Sequence, residues 1–144
     1  MKILAVDPGK HCGIAVIEFG GKVLQNGIVE SENLPEFLDQ LDRNNLVTVV
    51  VEDYRVYRSH AEKHTGSKVE AVQAIGMLDM WCRMHKLHFV KQQPYQFKIG
   101  AKYMGATLPK GHLKDNLSAL YHGVAYLKSI NQFTTQLEAR LQNE

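Results

Sequence analysis

Residues 3–17, ILAVDPGKHCGIAVI, decide the fold. Ile3, Leu4, Ala5 and Val6 form an unbroken apolar run, the pattern of a strand buried on both faces. Asp7 ends that run, Pro8-Gly9 makes a tight turn, and the chain resumes as a second apolar strand up to Ile17. A carboxylate at the end of a buried strand is costly unless it has a partner. A turn amide, a basic side chain or a metal ion would each serve. For Asp7 taken alone, an aspartate opening a turn is the plainer reading.

The neighbouring stretches extend the pattern. Gly20-Gly21 marks a hairpin and Lys22 to Val29 reads as a third strand, so the first three strands form an antiparallel meander. Ser31 and Asn33 are candidate caps for a helix from Pro35 to about Arg43, with Phe37, Leu38 and Leu41 inward. Leu46 to Val51 is a buried, β-branched strand that also runs into acid, Glu52 and then Asp53. Residues 54–66 are basic and aromatic and read as a loop. A helix over Ser67 to His85 carries Val72, Ile75, Leu78 and Cys82 at helical spacing. A short strand, Leu87 to Val90, and a helix from Pro94 to about Tyr103 come next. His112 to Lys128 reads as an amphipathic helix with Leu113, Leu117, Leu120, Val124 and Leu127 inward, and Gln132 to Leu141 as a last helix. This order predicts one α/β domain over residues 1–144, a mixed sheet with helices on its faces.

Composition narrows the function. With 44% hydrophobic and 22% charged residues the chain is ordinary for a globular protein. No apolar run approaches membrane-spanning length, and the N-terminus lacks a signal-peptide profile, so no membrane partner is expected. Cys12 and Cys82 have no zinc spacing and read as reduced core residues of a cytoplasmic protein. The net charge of +2 conceals an asymmetry. Residues 1–53 carry nine acidic and four basic side chains; residues 54–144 carry six and thirteen. Six lysines and no acid lie between Lys86 and Lys114. A basic half facing a few isolated acids suits a protein that handles a polyanion.

Three acids sit where acids are awkward: Asp7, Glu52 and, near the start of the amphipathic helix, Asp115. If their two strands pair in parallel, Asp7 and Glu52 emerge side by side. Hard divalent cations such as magnesium prefer such carboxylate oxygens. His112, three residues before Asp115, is expected on the same helical face. Asp53 follows Glu52 directly and is expected to point away from the cluster.

These residues resemble a known family. DPGKHCGIAVI is similar to the first strand and turn of the RuvC-type Holliday junction resolvases, VVVED at 49–53 resembles their second acidic strand end, and KGHLKDNLSALYHGVAYL from Lys110 resembles their final catalytic helix. The resemblance implies a ribonuclease H-like, mixed five-stranded sheet with helices on both faces. It also implies a metal-dependent endonuclease that resolves four-way DNA junctions as a homodimer; the alternatives are a related nuclease acting on other branched DNA or RNA–DNA hybrids, and a junction-binding protein that has lost catalysis. Asp7, Glu52, Asp115 and His112 would form the catalytic and metal-binding set, holding two Mg2+ ions, with Mn2+ as a substitute. His112 would either ligate or position the attacking water. Family members carry an aromatic residue three positions after the second acid; here that position is Arg55, flanked by Tyr54 and Tyr57. Tyr54, Arg55, Tyr57 and Arg58, with Lys98, Lys102, Lys110 and Lys114, are the candidate DNA contacts. The chain is shorter than typical cellular members, which suggests a compact or phage-encoded version, acting in the host cytoplasm if phage-encoded.

Overall fold

The computed structural model describes residues 1–54 and 67–143. Lys2–Asp7 (β1), His11–Glu18 (β2) and Val23–Glu30 (β3) form the antiparallel meander, with Leu46–Glu52 (β4) and His88–Gln92 (β5) added in parallel beyond β1. The sheet order is β3-β2-β1-β4-β5. The helices are Leu34–Gln40 (α1), Ser67–His85 (α2), Phe97–Tyr103 (α3), Asp115–Ser129 (α4) and Gln136–Gln142 (α5).

Alternation along the strands sends side chains to two separate cores. Leu4, Val6, Val49 and Val51 pack with Leu34 and Leu38 of α1 and Ala74, Leu78 and Cys82 of α2. Ile3, Ala5 and Val50 pack on the other face with Ala101 of α3 and Ala119, Leu120, Val124 and Leu127 of α4. β1 is therefore buried on both faces, as its unbroken apolar run requires. Cys12 and Cys82 are both buried and free.

Several boundaries and faces differ from the expectation. The amphipathic helix begins at Asp115, three residues later than His112, because Lys114 is extended (φ −59°, ψ 140°) and ends the loop before it. That helix is also buried nearly all round, from Ser118 to Ala125, so it is a central helix covering the sheet. Ser31 and Asn33 make no side-chain caps; a short 3-10 turn, Ser31–Asn33, leads directly into α1. Val72 faces outward at 45% exposure, while the smaller Ala71 and Ala74 take the inner stripe of α2. The last helix starts four residues late, at a Thr135 capping box with Glu138. No helix among the described residues is long and apolar enough to cross a membrane.

Candidate active site

The strand register assembles the acids. Val6 of β1 pairs in parallel with Val51 of β4, so Asp7 and Glu52 leave the sheet as neighbours. They share the face of Ile3, Ala5 and Val50, which is the face α4 covers. α4 brings Asp115 in its first turn, where a carboxylate also sits favourably against the helix dipole. Two contacts hold that end of α4 in place. The Asn26 side-chain amide donates to the carbonyls of Ile14 and Asn116, each at 2.8 Å, tying the meander to the helix. Gly13 of β2 lies so close to the Asp115 carbonyl that any Cβ there would overlap it.

Asp7, Glu52 and Asp115 line one open cleft of about 700 Å³, together with Lys10, His11, Tyr54, Lys98, His112 and Ser118. The Asp7 carboxyl is pushed up to about 8, first by burial and then by the negative charge of Glu52, with a smaller push from Asp115. Its side chain hydrogen-bonds both Glu52 and Ser118, and the Ser118 contact opposes the shift.

His112 approaches Asp115 from the preceding loop, Nε2 to Oδ1 at 3.7 Å, and its side chain is 86% exposed. The expected proximity is present, but the helical face that was to produce it is not. Asp53 is buried just beyond β4 and does not line the cleft. Of the candidate DNA contacts, Tyr54 and Lys98 line the cleft. Lys102, Lys110 and Lys114 are exposed and lie outside its lining. Arg55, Tyr57 and Arg58 lie outside the described residues.

Sequence reasoning missed four groups. Lys10 and His11 follow the Pro8-Gly9 turn and reach the cleft; His11 Nδ1 pairs with Glu30 at 2.8 Å. Ser118 and His122 lie three and seven residues after Asp115, hence on its side of α4. Polar residues at that spacing in an apolar helix were the signal available. His122 is fully buried, its Nδ1 2.8 Å from Gln92 Oε1 and its Nε2 3.5 Å from Glu52 Oε2.

The donor set suits a divalent cation. Its oxygens are hard ligands, and a bound cation would offset the burial and the Glu52 repulsion that raise Asp7. As placed, no three His, Cys, Asp or Glu side chains among the described residues close around a single point. The carboxylates surround a cleft and would have to turn inward onto an ion.

No protein-family model matches the chain, and no curated protein sequence matches it. Solved structures do. RuvC of T. thermophilus in complex with a Holliday junction substrate superposes with a TM-score of 0.66 at 15% identity, over 91% of this chain and 96% of that one. The Thermus thermophilus RuvC structure gives 0.62 at 18% identity, over 92% and 98%. The fowlpox virus Holliday junction resolvase gives 0.60 at 16% identity, over 90% and 99%. At such low identity the likeness is one of architecture, and it extends over almost the whole chain: the protein has the RuvC-type, ribonuclease H-like fold.

Proposed function

We propose that the protein is a divalent-metal-dependent endonuclease that resolves four-way DNA junctions by paired phosphodiester hydrolysis. The observation that carries this reading is the convergence of Asp7, Glu52 and Asp115, from two strands and a helix, in one open cleft. The fold shared with two junction resolvases supports the choice of substrate.

Asp7, Glu52 and Asp115 would hold the cations, which supply Lewis-acid activation of water and stabilise the leaving oxygen. Asp7 contributes its full charge only once its proton has left, so cation binding and proton release at this carboxyl are coupled. Ser118 lines the same cleft and hydrogen-bonds the Asp7 side chain. His112, on the open side, is within reach of Asp115 and of an incoming water. Lys10 and Lys98 flank the acids and would take the phosphates on either side of the scissile one, positioning the backbone without reading bases. Tyr54 stands at the cleft wall where a base unstacked at the crossover would meet it.

A symmetric junction calls for two matched cuts, and a two-fold dimer supplies two equivalent sites. α2 offers the surface: Val69, Val72, Met80 and Met84 are exposed along it, and Gly76 among them has open space above it. A labelled mobile four-way junction, a linear duplex and an RNA–DNA hybrid incubated with Mg2+ test the reading. Symmetric nicks confined to the junction are expected. Preferential cutting of the hybrid would replace the proposed substrate.

A further inference from the structure

We propose that His122 is a positioning residue for Glu52: from beneath the cleft it donates its Nε2–H to the Glu52 carboxylate and presents that carboxylate to the cation in one orientation. The inference rests on reading Glu52 as a cation-binding carboxylate.

The geometry is built from three elements. Glu52 and Gln92 are register partners on β4 and β5, so their side chains stand side by side on the face that α4 covers. His122 comes down from α4 onto this pair and is 0% exposed. Its Nδ1 is hydrogen-bonded to the Gln92 amide at 2.8 Å. Its ring packs in a T-shaped pair with Phe97, centroids 6.2 Å apart. Nε2 has no hydrogen-bond partner, and Glu52 Oε2 stands 3.5 Å away, just too far for a well-formed bond. Buried polar atoms are rarely left unpaired without a reason. A small rotation of the Glu52 carboxylate, such as it needs to turn onto an ion, closes this gap. The Gln92 amide exchanges its oxygen and nitrogen by a half-turn that leaves the heavy atoms nearly in place. With its NH2 group toward Nδ1, the ring's single proton lies on Nε2, facing Glu52. Carboxylates that bind metals are commonly held by such hydrogen bonds, and losing the partner weakens metal affinity about 10–100-fold.

The test compares His122→Leu, which keeps the bulk without a donor, with His122→Gln, which keeps a donor. Calorimetric Mg2+ titration of DNA-free protein is one readout. The other is long-range 1H–15N correlation of the His122 ring in Mg2+-loaded wild type. The Leu variant should bind Mg2+ about 10–100-fold more weakly, the Gln variant should recover most of that loss, and the wild-type ring should carry its proton on Nε2. Wild-type affinity in a folded His122→Leu, or a bare Nε2 with Mg2+ bound, would overturn the proposal. If the Leu variant fails to fold, the ring signature and the Gln variant decide it. Neither readout involves DNA, so a failure to cut junctions leaves both standing. Wild type that binds no Mg2+ would overturn the cation reading and this inference together.

Discussion

The raised carboxyl of Asp7 makes the stability of the cation-free protein depend on pH in an unusual direction. A carboxyl raised from 3.8 to about 8 binds its proton more tightly in the folded than in the unfolded chain. Its contribution is therefore fully present at low pH, below the unfolded value, and is lost as pH rises toward 8. The limiting slope is about 1.4 kcal/mol per pH unit, so pH 5 to 7.5 spans about 3 kcal/mol at most. Partial exposure of Asp7 and its interaction with Glu52 reduce this to roughly half. For a chain of this length about 1.5 kcal/mol corresponds to roughly 5 °C in Tm. The assay is thermal melting in chelator between pH 5 and 7.5, for wild type and Asp7→Asn. The variant removes the titrating group and retains the other acids and the histidines, so the difference between the two curves reports Asp7 together with its interaction with Glu52. Wild type should lose about 5 °C relative to the variant across the window, and saturating Mg2+ should abolish the loss. A flat or rising difference in chelator would refute the reasoning.

Three further outcomes follow from particular contacts. Gly13→Ala places a methyl against the Asp115 carbonyl, and such overpacking costs about 1–3 kcal/mol. It should lower Tm and cut cleavage at least tenfold, whereas Gly27→Ala, which has open space, should leave cleavage unchanged. Replacing Lys10 and Lys98 together by Ala should make the plot of log K against log salt shallower by about 2, read by junction binding at several salt concentrations. For the proposed dimer, Glu at both Val72 and Met80 should leave a monomer in sedimentation and single nicks in place of paired ones.

The sheet was legible because its signals are local and strong. Ile3 to Val6 and Val49 to Val51 are apolar runs ending in acid, and parallel pairing of β1 with β4 is enough to place Asp7 beside Glu52. Helix starts were less legible. Nothing in GHLKD distinguishes an extended Lys114 from a first helical turn, so the sequence pattern extends the helix back to His112, which precedes it. The outward turn of Val72 was equally hidden: Ala71 and Ala74 take the buried stripe of α2, and small residues give a weaker periodic signal than the valine beside them. Gly13 and Asn26 were invisible as site residues because their roles depend on a contact with α4 about a hundred residues away in the chain. His122 needed the β4–β5 register as well, since only that brings Gln92 and Glu52 together beneath it.

The most direct measurement of the central claim is cleavage of a labelled four-way junction by wild type, Asp7→Asn, Glu52→Gln and Asp115→Asn, each also assayed for junction binding in chelator. Wild type should cut symmetrically with Mg2+ and not without it. Each variant should bind the junction about as tightly as wild type, because it removes a carboxylate charge from the cleft and no cation from its rim, and should fail to cut. Near-wild-type cutting by any of the three would take that residue out of the site, and cutting by wild type in chelator would contradict the metal-dependent mechanism altogether.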